Sequence, residues 1–320
     1  MRRLVRILVA ILAILALVVM AAYLVLRRDD IPFATLEAKY GGAQSHFIDL
    51  PGGVHLHYRD QGNPAGPPIV LVHGFSASLH AWEPWVARLG DQYRVITLDL
   101  PGHGLTRTPP GFTASITGYA DIVDTLATAL KTGPYVVGGN SMGGGVAWHV
   151  ALRHGASVRG LVLVDSAGWP QGSRNGGNGP LIFKILASPI GRALIRDLDT
   201  SAMAKDGLKK AYVDQSLVTP ALVDRYVELS RAPGHRDILL SIGRDDDQIT
   251  PETFKAIHTP TLVMHGDSDV LIPLAAGKSL ASAIPGAQLI VYPGVGHVPM
   301  EQIPDRSALD LKAFLSALKP

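Results

Sequence analysis

Ser141 stands in Gly139-Asn140-Ser141-Met142-Gly143, a G-x-S-x-G pattern that offers a serine hydroxyl as a nucleophile. With 34 glycines in 320 residues the pattern alone is weak, and its context is what strengthens it. A β-like run, Tyr135–Asn140, ends just before the serine, and a helical pattern, Gly143–His154, begins just after it. A sharp strand-to-helix turn strains the serine backbone and exposes its oxygen. Glycines two positions either side are needed because a Cβ there would clash. The helix N-terminus behind Ser141 points N–H groups and a positive dipole end at a developing oxyanion. His73-Gly74-Phe75 closes another apolar run, so the backbone N–H groups of Phe75 and Met142 are the expected oxyanion donors, with His73, Gly74, Gly139 and Gly143 as supporting positions.

A serine hydroxyl at neutral pH needs a base, and the base needs an orienting acid. Of 12 histidines, His297 is set in Gly294-Val295-Gly296-His297-Val298-Pro299, a glycine-rich loop directly after the last β-like run. The acid should follow the preceding run, as Asp269 does in His265-Gly266-Asp267-Ser268-Asp269, in the chain order Ser…Asp…His. Asp267 and Asp165 are its rivals, Asp267 reading better as a turn-former. The expected set is Ser141, Asp269 and His297, with no metal and no cofactor. His55 and His57 share a strand face and read as surface residues, two imidazoles being too few for a metal site. Trp82 and Trp85 read as core or pocket wall, His103 as held in a structural turn, and Asp245–Asp247 as solvated.

Elements must carry these residues to one place. Phe47–Leu50 and Val54–Arg59 read as a hairpin, and Ile69–His73, Arg94–Asp99, Tyr135–Asn140, Leu161–Asp165, Thr261–His265 and Gln288–Tyr292 as strands apolar on both faces. Helical patterns lie between them near Ala81–Leu89, Ala120–Lys131, Gly143–His154, Leu274–Ile284 and Asp305–Leu318. The alternation predicts an α/β fold with a doubly wound, mostly parallel sheet. Residues 165–261 hold no convincing strand: a glycine-rich turn (Gly172 to Gly179) leads into helical Leu181–Leu198, Lys205–Leu217 and Pro220–Leu229, a helical cap over the ligand edge. The apolar Leu181, Ile182, Ile185, Leu186, Ile190, Leu194 and Ile195, beside Lys184, Arg192 and Arg196, either dip into a lipid interface or cover an ordinary pocket.

Composition bounds the rest. Hydrophobic residues at 47% against 18% charged give ample core and exclude a disordered chain. With no cysteine, a disulfide framework, a thiol nucleophile and a cysteine-ligated metal are excluded. The net charge of +2 comes from the leader: without its five arginines, 24 bases face 27 acids, and nucleic acid is not an expected partner. Ile7 to Leu26 is uncharged, between Arg2, Arg3, Arg6 and Arg27, Arg28. Twenty helical residues span about 30 Å, a bilayer's hydrocarbon core. The segment is expected to be a single-pass anchor entering the membrane through residues 4–26, with the body outside the cytoplasm. The alternative is a removed signal with a loose cleavage site at Val19-Met20-Ala21. The expected division is 1–28 anchor or signal, 29–45 juxtamembrane linker, 46–168 with 256–320 core, and 169–255 cap.

Together, His73-Gly74, Asp99-Leu100-Pro101-Gly102-His103-Gly104, Gly139–Gly143, Gly266–Asp269 and Gly296-His297 resemble the α/β-hydrolase superfamily, from about Phe47 to Leu318. The resemblance implies an α/β-hydrolase fold and a Ser141–Asp269–His297 triad acting through an acyl-enzyme. Serine at 141 argues against the epoxide-hydrolase and haloalkane-dehalogenase branches, whose elbow carries aspartate. Gly139–Gly144 looks like two branches: membrane-anchored lipases with monoacylglycerol-lipase-like enzymes, and the carbon–carbon hydrolases of aromatic degradation. The second usually carries a glycine- and proline-containing stretch after His-Gly, where Phe75-Ser76-Ala77-Ser78 stands here; the apolar leader and Leu163–Trp169 also favour the first. The expected activity is hydrolysis of short- to medium-chain acyl esters or monoacylglycerol-like lipids. The alternatives are carbon–carbon hydrolysis of ring-fission products and a non-catalytic binding module. Acyl specificity and oligomeric state are left open.

Overall fold

The computed structural model describes residues 2–170, 188–242 and 249–318. Its sheet has eight strands: β1 (His46–Leu50), β2 (Val54–Gly62), β3 (Pro68–Val72), β4 (Arg94–Leu98), β5 (Tyr135–Asn140), β6 (Val158–Val164), β7 (Thr261–Gly266) and β8 (Gln288–Tyr292). They lie in the order β1-β2-β4-β3-β5-β6-β7-β8. β2 pairs antiparallel with β1 and β4, and every other pair is parallel. This is a mixed, mostly parallel α/β sheet, with strands close to the expected runs.

The central strands are apolar at successive positions because both faces are covered. Val70, Val72, Val137, Leu161 and Leu163 join one buried cluster, while Ile69, Leu71, Val136, Val162 and Val164 join the other, the two-residue period of a pleated strand. The first face is closed by α4 (Ile116–Ala129), α5 (Met142–Arg153) and α11 (Leu274–Ala283), which contribute Val123, Val146 and Leu280. The second is closed by α3 (Glu83–Leu89) and α13 (Pro304–Ala317), through Trp85, Leu89, Leu311 and Phe314. Trp82 and Trp85 are core residues with ring centroids 5.2 Å apart.

Between β6 and β7 the described residues add no strand to the sheet and form α6 (Pro189–Arg196), α7 (Ser201–Ala211), α8 (Pro220–Ser230), α9 (His235–Ser241) and α10 (Pro251–Lys255). The expected turn at Gly172–Gly179, the apolar positions Leu181, Ile182, Ile185 and Leu186 with Lys184, and Asp245–Asp247 lie outside the described residues.

At the N-terminus, α1 (Arg2–Leu26) buries none of its residues and has a mean hydropathy of 3.0 over its most apolar window. A membrane anchor and a signal sequence share that character. The stretch 29–45, read as a linker, contains α2 (Phe33–Tyr40), whose Leu36 is buried with Leu105, Leu229 and Ala232. Arg28 N–H donates to Asp197 O (2.6 Å), and Arg236 donates to Arg28 O (2.8 Å) and Asp30 (2.6 Å). A short α12 (Pro299–Gln302) completes the elements.

Candidate active site

Ser141 has φ 55° and ψ −119°, a left-handed backbone that a side chain rarely adopts. Neighbouring bonds hold it there. Its N–H donates to Val164 O (3.0 Å), and its carbonyl accepts from Gly145 N (3.1 Å) and Ala167 N (2.9 Å). The flanking glycines are steric necessities: a Cβ on Gly139 would lie 2.0 Å from Gly143 O, and one on Gly143 would lie 2.1 Å from Val72 O. The Ser141 side chain does not cap α5, whose N-terminal N–H groups begin at Met142.

The loop after β3 reaches this turn. A Cβ on Gly74 would come 3.2 Å from Ser141 Cβ and 3.1 Å from Asn140 Oδ1, so the glycine admits the His73–Phe75 backbone beside the serine. His73 is fully buried, and its ring spans the loop: Nδ1–H donates to Gly74 O (2.8 Å) while Nε2 accepts from Leu100 N (3.0 Å). Burial pushes the His73 pKa down, keeping it in that neutral tautomer.

His297 follows β8, and its Nδ1–H donates to Asp269 Oδ2 at 2.7 Å. Its backbone is held on both sides, N–H to Ala211 O (2.8 Å) and carbonyl from Asn140 Nδ2 (2.9 Å). Asn140 therefore ties the histidine loop to the residue next to Ser141. Nothing in the sequence marked that position, because an unspecified place in a motif carries no signal. Asp269 Oδ1 accepts from Leu271 N (2.7 Å) and Ile272 N (3.0 Å). Burial alone would push the Asp269 pKa up; the His297 bond and charge, with the two backbone N–H groups, more than offset it and hold the carboxyl below its usual range. An ionised Asp269 fixes the proton on Nδ1 and leaves Nε2 basic.

The rival acids do other things. Asp267 Oδ1 accepts from Ser268 Oγ (2.8 Å) and Gly294 N (2.8 Å), a turn-forming role. Asp165 is fully buried at φ 44°, with Oδ1 accepting from Gly266 N (2.9 Å). Burial and the charge of Asp269 push its pKa well above the carboxylate range, so it stands neutral beside an ionised neighbour. His265 Nε2 lies 3.6 Å from Asp165 and 3.9 Å from Asp269, and donates to Ile272 O (3.0 Å). Asp165, His265 and Asp269 cluster closely enough to ligate a cation, yet each has a ligand atom engaged in the bonds just described.

One expectation fails. His57, read as a surface residue, is fully buried, with Nδ1 2.6 Å from Asp99 Oδ2. It faces the loop that follows β4, through Asp99 and Thr106, which a strand-alternation reading cannot see; His55, two residues back, is partly exposed and pairs with Asp49. A cleft of about 560 Å³ among Arg59, His80, Tyr212, Arg225 and Glu301 contains none of Ser141, Asp269 or His297.

A family model described as alpha/beta hydrolase fold matches residues 67–303. A thermophilic esterase from Thermogutta terrifontis superposes with a TM-score of 0.72 at 26% identity, covering 86% of this chain and 98% of that one. A membrane phospholipase A superposes with a TM-score of 0.70 at 25% identity, covering 97% and 98%. A meta-cleavage product hydrolase from Pseudomonas fluorescens IP01 gives 0.69 at 27%, covering 85% and 97%. With its sheet order, its strained serine turn and a family match across most of its length, the chain belongs to the α/β-hydrolase superfamily.

Proposed function

We propose that the protein is a serine hydrolase that attacks a carbonyl carbon through Ser141, His297 and Asp269, with carboxylic esters of acyl chains or monoacylglycerol-like lipids as substrates. The His297–Asp269 bond of 2.7 Å, anchored through Asn140 to the strained Ser141 turn, carries the reading. Ser141 Oγ bonds the carbonyl carbon as His297 Nε2 takes its proton. The Phe75 and Met142 N–H groups hold the oxyanion. Protonated His297 then releases the leaving alcohol, and a water activated at Nε2 cleaves the acyl-enzyme.

The lipid part of the proposal rests on α1. Its 25 residues would extend about 37 Å at the helical rise, enough to cross a bilayer. The match to a membrane phospholipase A extends over 97% of this chain, whereas the thermophilic esterase stops at 86%. We read residues 4–26 as an anchor, the body as lying outside the cytoplasm, and the helices of residues 169–255 as a cap. A second reading has support of its own. The meta-cleavage product hydrolase aligns over 97% of its length, and curated relatives include a 2-hydroxymuconate semialdehyde hydrolase at 28% identity. These relatives favour carbon–carbon hydrolysis by the same three residues more directly than they favour a lipid ester.

The purified full chain, assayed on p-nitrophenyl esters of increasing length, on monoacylglycerol and on a vinylogous diketone from catechol ring fission, separates the two. Ester turnover that Ser141→Ala abolishes supports the first reading. Diketone cleavage without ester turnover replaces it with the second, and full activity in Ser141→Ala removes both.

A further inference from the structure

The geometry points to a second Ser–His–Asp relay, Ser45–His57–Asp99, that makes Ser45 Oγ a covalent acceptor for small activated acyl or phosphonyl groups. Asp99 follows β4 and is fully buried, with Oδ1 accepting from Leu79 N (2.8 Å) and Oδ2 from Leu105 N (2.9 Å) and His57 Nδ1 (2.6 Å). Burial opposes its charge, but the His57 bond and three surrounding imidazoles win and hold the carboxyl well below its usual range. A carboxylate fixed by two backbone donors accepts a hydrogen bond from His57 Nδ1–H, which keeps the proton on Nδ1 and leaves the Nε2 lone pair free to accept. Ser45 Oγ is the group at Nε2, 2.7 Å away. The hydroxyl therefore donates to the imidazole, the ground state from which a serine is deprotonated as it attacks.

Access is asymmetric. Ser45 sits in the turn before β1, its N–H bonded to Gly42 O (3.1 Å), and is partly exposed. The His57 ring is closed to solvent and packs on Phe47, with centroids 5.0 Å apart. An electrophile can reach the oxygen while water cannot reach Nε2. In the step, the Ser45 Oγ–acyl or Oγ–phosphorus bond forms as the bond to the leaving group breaks, the hydroxyl proton passes to His57 Nε2 and stays there, and the activated leaving group departs as its anion, p-nitrophenolate or fluoride. Deacylation needs a water at Nε2, so the adduct persists and labelling is stoichiometric. β2 and β5 are three strand spacings apart, about 14 Å, so Ser45 acts apart from Ser141.

The test uses full-length Ser141→Ala protein in detergent, treated with a fluorophosphonate and with p-nitrophenyl acetate and mapped by peptide mass spectrometry. The expected result is one adduct on Ser45, absent from Ser141→Ala/Ser45→Ala and formed about 100-fold more slowly in Ser141→Ala/His57→Gln. No adduct on Ser45, or an unchanged rate without His57, overturns the inference. Should His57→Gln not fold, Ser45→Cys places a single thiol in a chain that has none. Its alkylation by iodoacetamide at pH 7 should exceed that of an unactivated peptide thiol about 10-fold, because a nearby imidazole favours the thiolate. An equal rate overturns the inference.

Discussion

At the scale of single residues, the site separates two carboxyls that the sequence alone ranked as rivals. Asp269 is ionised because His297 and two backbone N–H groups stabilise its charge, and Asp165 is neutral because burial and that charge oppose its own. Substituting amides should therefore have opposite consequences. Asp269→Asn donates where it must accept, favours the wrong His297 tautomer, and should lower kcat by about 10³–10⁴. Asp165→Asn keeps a neutral group that can still accept from Gly266 N, and should retain most of the activity. Its effect should appear in stability. Because the folded pKa of Asp165 lies above the unfolded one, folding loses stability as pH rises from about 4 through the raised value. Asp165→Asn should thus raise Tm at pH 8 and leave it nearly unchanged at pH 4; equal shifts at both pH values would contradict a neutral Asp165. The loops that carry Ser141, Asp269 and His297 were legible because each is a glycine-bearing segment at a strand end. His57 and Asn140 were not, since their roles come from backbone and loops distant in sequence.

At the scale of elements, the turn from β5 into α5 is the most constrained piece of backbone in the site, and its glycines are not equivalent. A Cβ at Gly143 would meet Val72 O at 2.1 Å and His73 O at 2.5 Å, both backbone atoms of the adjacent strand end. At Gly145 the nearest neighbour is Ala167 O at 3.8 Å, ordinary contact distance. Gly143→Ala should cost more than about 3 kcal/mol or prevent folding, whereas Gly145→Ala should be neutral or stabilise by up to about 1 kcal/mol through helix propensity. Thermal unfolding of the pair checks this, and similar losses in both would mean that α5 does not pack as described. Strand positions were legible because continuous apolar runs report burial on both faces. Helix boundaries were less so: α4 begins four residues before the expected Ala120, where Ser115 Oγ accepts from Gly118 N at 3.0 Å and caps it. The short α2 and α12, of eight and four residues, carry too few turns for a periodic pattern to show.

At the scale of the whole molecule, α1 buries nothing, yet the segment at its base is integrated into the body. Arg27 forms a β-bridge with Leu198, Asp199 N–H donates to Leu26 O (2.8 Å), Arg28 pairs with Asp199 (2.9 Å), and Arg231 donates to Asp29 O (2.7 Å). These contacts join the segment that follows α1 to the C-terminal ends of α6 and α8 and to α9 rather than to the sheet, so an anchor at α1 would hold the insertion between β6 and β7 close to the bilayer. Two truncations separate anchoring from integrity. A chain starting at Arg27 keeps the Arg28, Asp29 and Asp30 contacts; it should melt within about 2 °C of the full chain and turn over a soluble ester normally, but lose co-sedimentation with vesicles. A chain starting at Ile31 forfeits those contacts, including one of the two carboxylate partners of the nearly buried Arg236, and should melt several degrees lower because Arg236 keeps only the longer pair with Asp197, at 3.5 Å. If the Arg27 start still sediments with vesicles, the apolar surface that holds it must lie in the body, and Arg192 and Arg196 of α6 are where charge-reversing substitutions should then be made first.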